Sequence, residues 1–383
     1  MTGRSRGVDA LRGCAILGVV AYHYLDILRL GEALQLAPAL RRAAAFGWAG
    51  VDLFFVLSAF LLTRGLLDQR DNAGALSGFF GRRILRTWPL YFLLLALALV
   101  GEAAVAGDHG GPRDWLLADH APTALYALFL QNYWMGAQPH WSTAFLSSSW
   151  SLAVEEQFYL ILPFIALSLT PARFAALAGA AILLVPPLRY VVSDIAPPSA
   201  WSLWTPFRLD AFAWGVVIAL AARQPALRTP VITTLAGLAP LCLLALGERW
   251  SLDGPTLDPL TTTATTILGA VAVACVALAP ARNIAPAAIT RVFAWFGERC
   301  FSIYLLHFPL AGVTQFAFGA SDVHATDAAS AARLVAALLL SFPLAALSYR
   351  LIERPFIALG ARLSGAADAR GAIACRNATS AAG

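Results

Sequence analysis

The stretch LRGCAILGVVAYHY, residues 11–24, is a largely apolar run with an arginine near its start and a histidine near its end. The whole chain is similarly apolar, since 59% of its 383 residues are hydrophobic and only 13% are charged. Soluble domains contain about 25% charged residues, so this composition excludes an ordinary soluble protein. A helix needs about 20 apolar residues to cross a hydrocarbon layer of roughly 30 Å. We therefore predict an all-α bundle of about ten transmembrane helices, at 10–28, 47–66, 84–104, 153–170, 174–192, 207–222, 230–247, 260–279, 296–318 and 332–352.

The distribution of arginine predicts how these helices are oriented. All 27 basic residues are arginine, and 19 of them lie on the side of the membrane that also holds the N-terminus. Basic residues accumulate on the cytoplasmic side, so we predict that both termini are cytoplasmic. Residues 1–360 are predicted to form one transmembrane domain, and 361–383 a disordered cytoplasmic tail. The arginines lie between apolar runs, which argues against a nucleic-acid partner despite the net charge of +5.

His23 and Arg12 are the first candidate functional pair. His23 follows Arg12 by eleven positions, which at 100° per residue places both side chains on nearly one helix face. The imidazole then lies roughly 16 Å deeper in the membrane than the guanidinium. This face could combine an anion anchor at the cytoplasmic edge with a proton-transfer group at mid-depth. The alternative is that Arg12 is a snorkelling anchor and His23 a helix-packing residue.

Three further arginines begin the third apolar segment, in FFGRRILRTWPLY at 79–91. Arg83 and Arg86 are i,i+3 neighbours and share a helix face. Anchoring at the cytoplasmic side accounts for one or two of the three arginines. Three guanidinium groups at one edge also suit a polyanion such as a nucleotide phosphate, because arginine binds phosphate in a bidentate manner.

Paired carboxylates enter the fourth segment, in SSSWSLAVEEQFYLILP at 147–163. They belong to Glu155 and Glu156, and we expect one of them to face the interior of the bundle. An inward carboxylate could orient an imidazole or bind a sugar hydroxyl.

Histidine and acidic residues also interrupt other segments. His307 lies in the ninth segment and Asp52 in the second, and Arg208 and Asp210 in the sixth fit a structural ion pair. Ionisable residues in five separate segments favour a hydrated internal site. The five cysteines show no metal-ligand spacing, so we predict no metal site and no disulfide framework.

Six stretches, in this order, carry a resemblance to a known family: RGVDALRGCAILGVVAYH, GWAGVDLFFVLSAFLL, RRILRTWPLY, SSSWSLAVEEQFYLILP, SIYLLHFPL and LIERPF. Together they resemble the acyltransferase family 3 integral membrane proteins over residues 6–356, nearly the whole chain. The family's pattern of a basic residue, ten others and a histidine falls on Arg12 and His23, and its R-x-x-R pattern on Arg83 and Arg86. The sequence departs from the family at Ala59, where glycine is usual.

The resemblance implies a membrane O-acyltransferase in the bacterial cytoplasmic membrane. It would move an acyl group, most commonly acetyl, from cytoplasmic acyl-CoA to a hydroxyl of an envelope or secreted carbohydrate or of a lipid-linked saccharide. His23 would act as the general base or would carry the acyl group as an acyl-imidazole, and Glu155 would orient the imidazole or the acceptor. The CoA phosphates would be held by Arg12, Arg83 and Arg86. The remaining candidates for substrate contact are Glu156, His307 and Asp52.

Two other functions compete with this interpretation. One is O-acylation of a soluble small molecule such as a macrolide. The other is a proton-coupled transporter, in which the same buried ionisable groups would form a proton relay. The sequence shows no convincing internal repeat, and many transporter folds are built from repeats, so the enzyme is favoured.

Overall fold

The computed structural model describes residues 5–104, 121–138, 144–197, 199–251, 258–278, 286–320 and 322–364. Within these ranges, ten helical segments are long and apolar enough to cross a membrane, which confirms the predicted helical bundle. The long helices are α1 (Arg6–Ala21), α2 (Gly50–Asp68), α3 (Ala75–Ala104), α4 (Ser149–Ser168), α5 (Pro171–Ile195), α6 (Leu209–Arg223), α7 (Pro225–Ser251), α8 (Pro259–Leu278), α9 (Ala287–Glu298), α10 (Cys300–Ala317) and α11 (Ala328–Ser348).

Shorter turns join or extend these helices. Short α-helices lie at Leu30–Ala33, Pro38–Ala45, Thr123–Ala127, Gln131–Ala137, Ala144–Ser147 and Ala200–Leu203. Turns of 3₁₀-helix occupy Phe46–Ala49 and Thr205–Arg208. Two π-helical turns, Tyr22–Ile27 and Tyr349–Glu353, continue α1 and α11 directly.

Helix α6 forms the centre of one half of the bundle. In its apolar window 78% of the residues are buried, against 17% in α5 and in α7, whose apolar surfaces face outward as lipid-facing helices do. Helix α6 packs closely on α2, and Gly215 makes this approach possible. A β-carbon at Gly215 would lie 2.3 Å from the carbonyl oxygen of Val56, so a larger residue would push the helices apart.

Helix α9, which the hydropathy pattern does not predict, crosses α1 at very short distance. A β-carbon at Gly13 would lie 1.9 Å from the carbonyl oxygen of Phe293, and one at Gly297 would lie 1.8 Å from that of Asp9. Glycine on both helices lets the two backbones touch. This contact fixes the inner part of α1, which carries Arg12.

Two differences between the predicted and observed helix boundaries bear on the arginines and on the predicted tail. Helix α3 begins at Ala75, nine residues before the predicted start at 84, so its arginines lie within a continuous helix. The last spanning segment continues through Ser364, four residues into the predicted tail. The rest of that tail, 365–383, lies outside the described residues, as does the segment 105–120. Ser364 donates a hydrogen bond of 3.3 Å to the carbonyl of Gly78, so this end of the chain lies beside the start of α3.

Two ion pairs are buried among α2, α5 and α6. Arg208 Nη1 lies 2.9 Å from Asp52 Oδ1, and Arg189 Nη2 lies 2.6 Å from Asp210 Oδ1. The predicted pairing of Arg208 with Asp210 is therefore wrong. Arg208 ends a 3₁₀ turn just before α6, and residues two positions apart do not face each other, so the two side chains contact different helices.

Candidate active site

A cavity open to solvent lies between α1, α2, α3, α4 and α10, and its empty space of about 690 Å³ includes part of that solvent. Its inner end is the end of the bundle that holds the start of α1. Helices α2 and α4 run opposite to α1, α3 and α10 along the chain. Late residues of α2 and α4 therefore share the inner end with early residues of α3 and α10. The lining is basic and polar toward the inner end (Arg12, Arg83, Arg86, Ser58, Glu155, Tyr159) and largely apolar toward the outer end (Val51, Phe54, Leu152, Phe301, Tyr304).

The basic end brings together the three arginines that the sequence singles out. Arg12 contacts Asp9 at 3.4 Å and keeps 19% of its side chain exposed. The Arg83 guanidinium lies 5.9 Å from the centre of the Tyr159 ring. Among the described residues, neither Arg83 nor Arg86 forms an ion pair with a carboxylate. Guanidinium groups that line a cavity and form no ion pair within 4 Å are suited to bind an anion.

A polar cluster lies beside the arginines, where the Arg83 guanidinium is over the Tyr159 ring. The Tyr159 hydroxyl donates to Glu155 at 2.6 Å, and Ser58 donates to the other Glu155 oxygen at 3.2 Å. Ser58 and Tyr159 are themselves 2.9 Å apart. Three residues from α2 and α4 thus form a closed hydrogen-bonded triangle on the cavity wall.

His23 and His307 form a hydrogen-bonded pair just beyond the outer end of the cavity. His23 Nδ1 lies 2.8 Å from His307 Nε2, and His307 Nδ1 lies 2.9 Å from the carbonyl oxygen of Ile303. A carbonyl only accepts, so in the neutral pair the hydrogen of His307 is on Nδ1 and its Nε2 is the acceptor. His23 must then donate from Nδ1, which leaves its Nε2 as a basic nitrogen without a hydrogen.

Local structure holds this pair in position. His23 lies in the π-helical turn Tyr22–Ile27, where the amide of Leu28 donates to the His23 carbonyl at 2.9 Å. Such turns are frequent at functional sites. The ring of Phe308 stacks on His23 at 4.6 Å. The hydroxyl of Tyr24 donates to the carbonyl of His307 at 2.7 Å.

The histidine pair does not line the cavity. Tyr304 does, and its ring centre lies 6.1 Å from that of His307 on the same helix. The Tyr304 hydroxyl lies 2.6 Å from Ser151 Oγ and donates to the carbonyl of Ser148 at 3.0 Å. These bonds fix the phenol at the cavity wall, less than one helical turn before His307.

The structure places the predicted carboxylates away from His23. Glu155 lines the cavity, and the His23 ring is hydrogen-bonded to His307. Of the two roles predicted for Glu155, orienting the imidazole therefore does not fit, and contact with the acceptor stays a prediction. Glu156 accepts hydrogen bonds from Thr87 at 2.7 Å and from the Trp88 indole at 3.2 Å, so it fixes α4 to the arginine-bearing helix α3.

Asp52 is also held apart from the cavity. Its side chain is fully buried and bonded to Arg208 and, at 2.9 Å, to Thr265. Both carboxylate oxygens therefore have protein partners, and the contacts around Asp52 join α2 to α6 and α8.

Three cavity residues are not predicted as site residues from the sequence alone. Tyr304 lies three positions before His307 and so shares its face, which is the signal that could have revealed it. Ser58 and Tyr159 belong to the polar cluster, and their pairing with Glu155 depends on how α2 and α4 pack.

Comparison with known proteins bears on the chemistry of this site. A family model described as an acyltransferase domain matches residues 5–350. A provisionally named O-acetyltransferase of Staphylococcus aureus strain COL is 27% identical over 378 residues, covering 91% of this chain and 57% of that protein. The peptidoglycan O-acetyltransferase OatA of Listeria monocytogenes is 25% identical over 370 residues, covering 91% of this chain and 55% of that protein. The chain thus spans little more than half the length of these relatives. No solved structure matches it significantly.

Proposed function

The chain belongs to the acyltransferase family described by this domain, and from that membership we propose that it is a multi-pass membrane O-acyltransferase of the bacterial cytoplasmic membrane. The donor would be cytoplasmic acyl-CoA, with acetyl as the acyl group. The acceptor would be a hydroxyl of an envelope carbohydrate, in keeping with the peptidoglycan named for the Listeria relative. The observation that carries the proposal is the basic imidazole nitrogen of His23 next to a cavity that has three arginines at its far end.

An acyl-CoA would lie in the cavity in one direction. The phosphates would meet Arg12, Arg83 and Arg86 at the inner end, since guanidinium groups bind phosphate with two parallel hydrogen bonds. The amide-bearing arm would pass the Ser58, Glu155 and Tyr159 cluster, which offers both hydroxyl donors and carboxylate acceptors. Glu155 thus keeps a role at the donor in this proposal, in place of orienting the imidazole.

His23 would act as the general base. Its Nε2 takes the proton of the acceptor hydroxyl as the oxygen attacks the thioester carbon, the C–O bond forms and the C–S bond breaks. The departing thiolate then takes the proton from the imidazolium, so that His23 ends the cycle neutral. His307 is the positioning residue, because its Nε2 fixes the tautomer of His23. A route through an acyl-imidazole would use the same nitrogen as the nucleophile.

Purified protein in liposomes provides the test. The release of free CoA thiol from acetyl-CoA is measured with soluble peptidoglycan fragments as the acceptor probe, and acetyl-CoA binding is measured separately. We expect His23→Gln to lower transfer by roughly 10²–10⁴-fold, as the loss of a general base does, and to leave acetyl-CoA binding intact. His307→Leu should lower transfer less, because the His23 imidazole is still present as the base and only its tautomer is no longer fixed.

His324 provides a matched control, since it lies on the loop between α10 and α11 and contacts Asp322. His324→Gln should transfer acetyl at the native rate. Near-native transfer by a well-expressed His23→Gln protein would remove His23 from the chemistry. Absence of both CoA binding and transfer in the unaltered protein would overturn the proposed function.

A further inference from the structure

Tyr304 occupies the last position of the cavity wall on α10. The lining residues of that helix are Cys300, Phe301 and Tyr304 in order toward the outer end, and His307 follows roughly 4.5 Å farther along the axis. Tyr304 is therefore the lining residue of α10 that is nearest in the chain to His307.

The part of the cavity wall formed by α4 ends at the same depth as Tyr304. Ser151 is the outermost lining residue of α4, and its Oγ lies 2.6 Å from the Tyr304 hydroxyl. The second bond, to the carbonyl of Ser148, ties the phenol to the turn that precedes α4. Two hydrogen bonds across the cavity hold the ring in place at the end of the space.

The cavity next to the Tyr304 ring is lined by apolar side chains, in contrast to the arginine end. Val51 and Phe54 of α2, Leu152 of α4 and Phe301 of α10 line this part of the cavity. A donor whose phosphates lie at the arginines has its acyl group farthest from them. Its alkyl end would therefore meet these side chains and the ring of Tyr304.

We propose that Tyr304 closes the acyl end of the donor cavity and limits the acyl group to a short chain. This inference rests on the proposed function, because it takes the cavity to hold acyl-CoA. The physical basis is steric: a chain longer than the space allows must displace a ring held by two hydrogen bonds. Apolar pockets distinguish ligands that differ by one methylene about 10- to 200-fold.

The test measures binding and transfer of acetyl-, butyryl- and hexanoyl-CoA by the full-length protein in liposomes. The unaltered protein should favour acetyl. Tyr304→Ala should raise the butyryl-to-acetyl ratio of kcat/KM and of affinity by about tenfold or more, and Tyr304→Leu should raise it less. Tyr304→Phe keeps the ring but loses both hydrogen bonds of the hydroxyl, so it should raise the ratio less than Tyr304→Ala or Tyr304→Leu. The matched control, Phe318→Ala, removes an exposed aromatic ring at the end of the same helix and should change no ratio.

The possible outcomes distinguish a failure of this inference from a failure of the proposed function. Equal use of the three donors by the unaltered protein, or an unchanged ratio in both Tyr304→Ala and Tyr304→Leu, would overturn the role of Tyr304 while acetyl transfer stands. If one of these variants does not fold, the other decides the result. If no acyl-CoA binds to the unaltered protein, the proposed function itself fails.

Discussion

At the scale of single residues, Arg83 and Arg86 can be tested apart from the catalytic step. They lie one turn apart on α3 and form no ion pair with the described carboxylates. Loss of one guanidinium would remove charge-assisted hydrogen bonds to phosphate, each worth about 1.5–3 kcal/mol. We expect Arg83→Ala and Arg86→Ala each to weaken acetyl-CoA binding roughly ten- to hundredfold, measured on inserted protein.

Arg173→Ala is the control for this prediction, because Arg173 is exposed at the start of α5 and is predicted to lie on the same side of the membrane. It should leave affinity unchanged. Native acetyl-CoA affinity in both cavity variants would mean that the two arginines only anchor α3.

The sequence predicts individual site residues better than their partners. Arg12, Arg83, Arg86 and Glu155 stand out as polar groups in apolar segments, and the structure gathers all four around one cavity. The contact between His23 and His307 joins residues 284 positions apart, so it depends on the packing of α1 against α10. No local periodicity contains that information.

At the scale of helices, the crossing of α1 and α9 provides a sharp test of packing. We expect Gly297→Ala to reduce the amount of folded protein strongly, because the new methyl group would lie 1.8 Å from the carbonyl oxygen of Asp9. The measurement is the yield of monodisperse protein after extraction and its thermal unfolding temperature.

Gly237→Ala is the matched control for this crossing. Gly237 lies inside helix α7, and a β-carbon there would meet no atom within 4 Å. Alanine favours the helix by up to about 1 kcal/mol, so this variant should be as stable as the native protein or more so. Equal yields of the two variants would contradict the close contact between α1 and α9.

Hydropathy locates the hydrocarbon-spanning part of each helix but not its ends. Helix α3 continues backward through its arginines because arginine is a good helix former although it is polar. Other arginines serve as caps: Arg70 donates to the carbonyl of Leu169 at 2.5 Å and Arg228 to that of Leu278 at 2.7 Å, at the ends of α4 and α8. These contacts satisfy carbonyls that a helix end leaves free.

At the scale of the whole molecule, the orientation in the membrane can be read with reporter fusions. The ten spanning segments found among the described residues place the first and last of their ends on one side, and the arginine distribution predicts that this side is the cytoplasm. Alkaline phosphatase fused after Gln35, in the first loop, should be active, and green fluorescent protein fused after Asn72, in the second loop, should fluoresce. If both positions report the same side, the ten-span arrangement is wrong.

The hydrogen bond from His307 to the carbonyl of Ile303 has a consequence for bioenergetics. A peptide carbonyl cannot pass a proton onward, so the two imidazoles do not form a proton-conducting path across the bilayer. The proton that His23 removes must leave with the products on each turnover. Acyl transfer would then be electrically silent, and a protonophore that collapses the membrane potential should leave its initial rate in liposomes unchanged. A rate that follows the potential would require a second proton route past His307.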